Sequence, residues 1–563
     1  MSVHSGWEEG VALRRHILAL LVALAAAAFL IWPGQQSALG NPLTQVTQIT
    51  TGGSRTCALL DGGVKCWGNN SGGGLGDGTR TFRTTPTDVV GLQEGVVSVA
   101  TAGSHTCALL DTGRVKCWGA NLIAELGDGT ITTRTSPVDV CQVYDEALEQ
   151  CDTPLSSVTA IAAGTFHNCA LTEEATVFCW GRNTHGQLGA VSDGKCSFGG
   201  GPFPLALEGP NPELCSTTAL EVAGLTDVVA VDAGGNHTCA VTIEGRVKCW
   251  GANLNRELGT PTTEICLEVG VVPVDCSTAP VDVCLAYDEA AAQCDELLAA
   301  TAVATGGSHT CAVTAAGGAM CWGANFNGAL GDGTGLGDVF PPSSPPVDVV
   351  GLTQGIAQIA VGTWTSCAVT AEALLFCWGG NEQGQLGDGT GGRSGDRSLV
   401  PVSVCEDAVC DAPLANVVAV SVGFHTCALL EEASVRCWGS NTWGQLGDGT
   451  ICCGLSYNRP APVDVVALEA KPTPTPTLTP TPTVTLTPTT TPAPTMTPEV
   501  LLGDVNCDGT LTSVDAVLVL QFVARLLQTL PCPENGDIDE DGALTALDAA
   551  LILQHSAGLL ASA

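Results

Sequence analysis

One block recurs seven times along this chain, and a repeat of that length and number leaves few architectures open. Cys-Trp-Gly triplets begin at Cys66, Cys117, Cys179, Cys249, Cys321, Cys377 and Cys437. Each is followed by x-Asn-x4-Leu-Gly, with the asparagines at Asn70, Asn121, Asn183, Asn253, Asn325, Asn381 and Asn441. The spacing between successive Trp residues of the triplets runs from 51 to 72 residues, so insertions stretch an otherwise constant unit.

The second unit reads as four short strands. Val96–Val99 alternates, and His105–Leu110 and Arg114–Trp118 flank an Asp111-Thr112-Gly113 turn with glycine where a left-handed residue is needed. Ser136–Val140 is a fourth strand whose Pro137 suits an edge. Four-stranded units repeated seven times predict an all-β seven-bladed propeller rather than a solenoid, because no distinct capping repeat is present and closure removes exposed strand edges.

The cysteines fit the same hairpins. Cys57 and Cys66 are symmetric about an Asp61-Gly62 turn, and Cys107 and Cys117 about Thr112, which places each pair directly opposite across two strands. The same spacing pairs Cys169 with Cys179, Cys239 with Cys249, Cys311 with Cys321, Cys367 with Cys377 and Cys427 with Cys437. Zinc would need four converging ligands at closer spacing. Further cysteines (Cys141/Cys151, Cys284/Cys294, Cys196/Cys215, Cys266/Cys276, Cys405/Cys410) fall in inserted segments read as lying between blades; spacing alone does not fix their connectivity.

Disulfides need an oxidising compartment, and the N-terminal segment supplies a route to one. Arg14 and Arg15 precede an apolar run from Ile17 to Trp32, and Ala38-Leu39-Gly40 offers small residues for cleavage. Residues 1–40 read as a secretory signal peptide, with an uncleaved anchor as the alternative. The expected location is secreted or at the cell surface. With 20 Lys and Arg against 57 Asp and Glu, the net charge is −37, which makes the chain a poor ligand for nucleic acid or anionic membranes.

Gly423–Leu429 and Cys437–Thr450 carry the repeat most fully, as Gly-x-His-Thr-Cys-Ala-Leu and Cys-Trp-Gly-x-Asn-x-x-Gly-Gln-Leu-Gly-Asp-Gly-Thr. This pattern, over residues 41–469, resembles the repeat of the regulator-of-chromosome-condensation family, with blade cysteines like its secreted bacterial members. The resemblance implies a seven-bladed propeller used as a binding module. Nuclear members exchange nucleotide on a small GTPase and bind chromatin, partners not expected for an exported acidic chain.

Within the repeat, His105, His167, His237, His309 and His425 share one slot that Arg55 and Thr365 fill in the remaining units. A blade hydrogen bond is the expected role, not a metal ring. The Gly-Asp-Gly-Thr segments starting at Gly76, Gly127, Gly331, Gly387 and Gly447 read as turns, since one carboxylate is too few oxygens for calcium. No nucleophile–base set stands out, so no enzyme activity is expected of the propeller.

Residues 470–498 form a Thr/Pro-rich linker expected to be extended polyproline II. Beyond it, Asp504, Asn506, Asp508, Thr510, Thr512 and Asp515 stand at positions 1, 3, 5, 7, 9 and 12 of a loop with Gly509 at 6. Asp537, Asp539, Asp541, Ala543, Thr545 and Asp548 repeat it 33 residues later. Hard oxygen ligands at this spacing suit calcium, with Thr510 and Ala543 giving backbone carbonyls, so two calcium ions are expected. Helices can follow the loops at Ala516–Leu527 and Ala549–Leu559 but none fits before the first. Loop-then-helix in duplicate over residues 499–563 resembles a type I dockerin, a small all-α module. The resemblance implies a cohesin-type partner and contact residues at loop positions 10 and 11, Ser513, Val514, Ala546 and Leu547. Val514 and Leu547 are equally readable as core. Cys507 and Cys532 are placed to form a local staple.

The sequence therefore predicts a secreted, non-catalytic scaffold: a propeller that recognises a protein or glycan, and a calcium-dependent docking module. The alternative is a component of an extracellular polysaccharide-degrading assembly with carbohydrate-binding or hydrolytic activity, which exposed Trp364 or Trp443 would favour.

Overall fold

A computed structural model describes residues 46–466 apart from 146, 193–194, 197–212, 267–273, 289–292, 336–342 and 452–457, together with residues 468, 505 and 519. The chain divides into two compact units, residues 1–473 and 474–563. The described part of the first is all-β, with one short 3-10 turn at Phe326–Gly328.

Seven antiparallel sheets span residues 46–88, 96–139, 158–221, 228–282, 300–348, 356–403 and 417–464, five of them in strand order along the chain and the third and fourth with an added outer strand out of that order. Blade 1 is typical: Val46–Gly52, Arg55–Leu60, Gly63–Gly68 and Arg83–Asp88. Asp61 and Gly62, at φ 49° and 74°, make the tight turn that brings Cys57 directly opposite Cys66. In blade 2, Gly113 at φ 72° closes the longer turn and Cys107 opposes Cys117. The ring closes without strand exchange: blade 1 begins at Val46, and blade 7 ends at Asp464. Side-chain bonds join the two, including Thr51 Oγ1 with Ser421 Oγ at 3.1 Å.

Cores form between blades rather than within them. Cys57, Leu59, Val64 and Leu75 of blade 1 pack on Val99, Ala108 and Trp118 of blade 2, and the other seams repeat this. The Leu-Gly pair of the motif follows from it. A Cβ on Gly76 would lie 2.6 Å from Trp118 Nε1, and one on Gly447 2.6 Å from Trp67 Nε1, so the following blade's indole occupies that space.

All seven hairpin disulfides are formed. Five more join the inserted cysteines: Cys141–Cys151, Cys196–Cys215, Cys266–Cys276, Cys284–Cys294 and Cys405–Cys410. The sequence reading put all of these segments between blades, and for two it was wrong. Cys196–Cys215 and Cys266–Cys276 lie inside blades 3 and 4, where each insertion doubles back as a fifth strand on the outer edge. The other three do follow blades 2, 4 and 6. Cys452 and Cys453 lie outside the described residues.

Burial separates these bridges. Every hairpin cysteine is buried, whereas Cys151 and Cys294 are half-buried and Cys410 is exposed. Dithiothreitol without denaturant is therefore expected to reduce Cys141–Cys151, Cys284–Cys294 and Cys405–Cys410 while sparing the hairpin pairs, as read by alkylation and mass spectrometry. Early labelling of any hairpin cysteine would contradict the packing.

Candidate functional site

Each seam is built on one shared carbonyl. The residue before the Leu-Gly pair in one blade accepts both the indole N–H and a hydroxyl from the next. Gln445 O takes Trp67 Nε1 at 2.9 Å and Thr56 Oγ1 at 2.8 Å. Gly74, Gln187, Glu257, Ala329 and Gln385 do the same for Trp118/Thr106, Trp250/Thr238, Trp322/Thr310, Trp378/Ser366 and Trp438/Thr426. At Glu125 O the second donor beside Trp180 is the Asn168 amide.

The histidine slot completes this fork. His167 Nε2 meets Thr238 Oγ1, His237 meets Thr310, His309 meets Ser366 and His425 meets Thr56, at 2.5–2.9 Å, while His105 meets Asn168 Oδ1 at 2.7 Å. Each hydroxyl spends its proton on the carbonyl, so the imidazole must donate and is neutral with its proton on Nε2. Nδ1 of His105, His167, His237 and His425 has no partner. Burial depresses these histidines to about 3 (His167, His237, His425) or about 4 (His105, His309).

The two exceptions are compensated. Arg55, its pKa lowered by burial to about 10, donates to the carbonyls of Ala102, Gly103 and His105 in blade 2. Gly74 makes room for it: a Cβ there would lie 2.6 Å from the guanidinium carbon. Thr365 turns back onto Gly380 O and bonds no neighbouring blade through that hydroxyl. In these same two blades the innermost strand carries a glutamine. Gln48 makes a two-point bond to the Val99 backbone and Gln358 to that of Val420.

The innermost strands line a central channel of about 390 Å³. Asp232, at its wall, accepts Thr305 N and Oγ1 at 2.7 and 2.9 Å, and burial raises it to about 6. Glu257, raised to about 7 by burial, is held by the Asn255 N–H and side-chain amide. These perturbed groups are engaged in the seams and turns. Among the described residues no cluster of three or more His, Cys, Asp or Glu could hold a metal.

The first-to-second turns and third-to-fourth loops open on one face. Each motif asparagine braces its loop there: Oδ1 accepts the Leu N–H at 2.9–3.1 Å in all seven blades. The Gly-Asp-Gly-Thr turns are cages. Asp77 accepts Asn70, Thr79 and Arg83; burial works against ionisation, but these bonds hold the carboxyl below its ordinary value. On this face stand the exposed aromatics Trp364 (45%), Trp443 (41%), Phe82 (40%) and Phe424 (41%). Phe82 and Trp443 meet edge-to-face at 6.3 Å across the closing seam. The sequence singled out both tryptophans; Phe82, brought in from 361 positions away, it missed.

The twelve expected calcium ligands, the four expected partner contacts, the expected Cys507–Cys532 staple, linker and signal peptide all lie outside the described residues.

Comparison with known proteins agrees with this architecture. Residues 158–187, 228–256, 300–329, 356–385 and 417–445 match one regulator of chromosome condensation (RCC1) repeat family, and 61–109, 174–241 and 372–430 match a second. Residues 502–555 match the dockerin type I domain. The ultraviolet-B receptor UVR8 of Arabidopsis thaliana is 29% identical over 434 residues, 76% of this chain and 84% of that one. The mitochondrial RCC1 domain-containing protein RUG3 of the same plant is 28% identical over 369 residues, 63% of this chain and 71% of that one. Among solved structures, human WBSCR16 has a TM-score of 0.52 at 22% identity, covering 72% of this chain and 93% of that chain. Yeast RCC1 (Prp20), solved with Kap60, has a TM-score of 0.51 at 21% identity, covering 67% and 78%. Both likenesses are of fold alone.

Proposed function

For this chain, an RCC1-repeat propeller protein that also carries a dockerin type I domain, we propose two separate binding roles and no catalytic one. The propeller recognises a protein or glycan ligand through its loop-bearing face, and the dockerin attaches the protein to a cohesin-type partner. The observation that carries this reading is the union of a dockerin match at residues 502–555 with a propeller whose perturbed acids and bases are spent on holding it together. The dockerin and the twelve disulfides of the described residues fit an extracellular protein, and secretion through residues 1–40 is part of the proposal. A net charge of −37 argues against a nucleic-acid partner, and no small GTPase is carried over from the family.

Dockerin type I domains generally bind calcium. The donors in the two loops are carboxylates, an amide, hydroxyls and main-chain carbonyls, all hard oxygens that suit this ion. Two ions are proposed, on Asp504, Asn506, Asp508, Thr510, Thr512 and Asp515, and on Asp537, Asp539, Asp541, Ala543, Thr545 and Asp548. Bound calcium would neutralise these carboxylates and couple the module's folding to the metal. Ser513, Val514, Ala546 and Leu547 would then face the partner.

The test is capture of the full chain on an immobilised cohesin module. Chelator, or the paired change Asp504→Ala with Asp537→Ala, is expected to weaken capture by about 100-fold or more, because metal supplies much of the folding free energy of such modules. Val514→Asp with Leu547→Asp is expected to weaken capture too. Capture indifferent to calcium and to all four changes would sink the docking role. A second reading, membership of a polysaccharide-degrading assembly, is favoured by the exposed Trp364.

A further inference from the structure

Blade 6 departs from the other blades at positions that lie side by side. It has Thr365 in the histidine slot, Trp364 in the turn just before it and Gly380 after the Cys-Trp-Gly triplet; like blades 3, 4, 5 and 7 it also carries extra residues before its fourth strand, here 391–397. Thr365 turns onto Gly380 O, and the Gly380 N–H donates to Trp364 O at 2.8 Å. A Cβ on Gly380 would lie 3.6 Å from Trp364 Cβ and 3.5 Å from Asn327 Nδ2, so the glycine forms an open floor between an exposed indole and a carboxamide.

Directly across the sheet from Gly380 stands Arg397. Arg397, Arg393, Asp396 and Asn381 line an open cavity of about 380 Å³, within the range that takes a small ligand. Most other described basic side chains are ion-paired, as in Lys65–Asp88, Arg134–Asp128 and Lys248–Asp282. Arg393 and Arg397 are not. The neighbouring carboxylates are turned to the backbone instead: Asp396 Oδ2 accepts the Arg393 N–H and Glu382 Oε1 the Gly395 N–H, each at 2.9 Å. Two guanidiniums with uncommitted donors therefore face the cavity mouth of a strongly acidic protein.

We propose that this corner of blade 6 binds a carboxylated sugar, a uronate unit of an acidic polysaccharide. The C–H face of the pyranose ring would stack on Trp364, the carboxylate would pair with Arg393 and Arg397, and ring hydroxyls would meet Asp396 and the Asn327 amide. This rests on the glycan option of the proposed function and names its site and ligand class.

The full chain would be titrated calorimetrically with oligogalacturonate, in chelator so that calcium cannot bridge. Parallel titrations would use its methyl ester, a neutral oligogalactan and poly-glutamate. Binding of the uronate is expected, with the ester and the neutral oligomer roughly tenfold weaker or worse because the Arg–carboxylate pairing is lost. Trp364→Ala and the double change Arg393→Ala, Arg397→Ala are each expected to cost about tenfold, while Trp443→Ala leaves binding unchanged. All of these side chains are exposed, so the variants should keep the wild-type melting transition. No uronate binding, binding untouched by the variants, or equal binding of poly-glutamate would each overturn the site. If a neutral glycan binds while uronate does not, only this inference falls; if no glycan binds, the glycan reading falls with it while docking to cohesin stands.

Discussion

Lowering the pH from about 6.5 towards 4 is expected to strip the propeller of stability more steeply than any single substitution. Five seam histidines have folded values of about 3 to 4, below the ordinary 6.5. Between those limits the unfolded chain binds protons that the folded chain refuses, so stability rises with pH across the window and is lost as pH falls through it. Two buried acids act oppositely. Asp232, about 6 instead of 3.8, and Glu257, about 7 instead of 4.5, hold protons in the folded state that the unfolded chain releases. Near pH 5, five histidines against two carboxylates leave a net uptake of three protons on unfolding. That corresponds to a slope of about 4 kcal/mol per pH unit, and Asp232, partly exposed to the channel, opposes it less than a fully desolvated carboxyl would. Urea unfolding followed by tryptophan fluorescence at several pH values reads it directly. The signal comes mainly from the propeller, which holds nine of the eleven tryptophans; the other two, Trp7 and Trp32, lie in the segment proposed as a signal peptide. His167→Gln keeps a donor towards Thr238 and should reduce the uptake by one proton. A midpoint that is flat between pH 6.5 and 4 would mean the seam imidazoles are not held neutral.

Trp67→Ala should be among the most damaging single changes, costing about 3–5 kcal/mol. Trp67 is fully buried among Ile49, Ala58 and Leu60 of its own blade and Leu429, Val435 and Leu446 of blade 7. Removing it opens a cavity and leaves Gln445 O with only Thr56. Its seam also differs in kind from the other six. Consecutive blades are tethered by the chain, whereas blades 7 and 1 are joined by packing and hydrogen bonds, such as the Gly449 N–H to Thr84 O, with no connecting segment. Hydrogen exchange should therefore accelerate selectively in blades 1 and 7. Trp250→Ala, with a comparable global cost, should leave those two blades protected. Trp67→Phe, which keeps much of the ring volume, should lose little beyond the indole hydrogen bond, about 1 kcal/mol. Equal exchange patterns for the two alanine variants would show that the missing tether does not matter.

Much of this was legible before any coordinates. The repeat gave the blade count, and the two turn lengths, Asp61-Gly62 and Asp111-Thr112-Gly113, gave the hairpin registers and so the seven disulfides. Those are local facts, since partners nine or ten residues apart are bound to meet once the turn type is known. The histidine slot was readable as structural because arginine and threonine also fill it. Its partners were not readable. His425 meets Thr56 across 369 positions, and Gln48 answers to Val99 in the next blade. Nor did spacing reveal that Cys196–Cys215 and Cys266–Cys276 extend blades instead of bridging them, because a loop of that length can fold out or back with equal ease.

By itself, then, the sequence determined what each unit is: a disulfide-pinned sheet built on four strands, seven times, with a dockerin type I domain to follow. Only the tertiary structure decided what holds the units to one another and what they display. The seam forks and the bonds of Arg55, Gln48 and Gln358 to the next blade join residues whose neighbourhood is set by ring closure. Hydrophobic alternation and turn chemistry specify a strand's own hairpin, but they carry no information about which side chain the next blade will bring alongside.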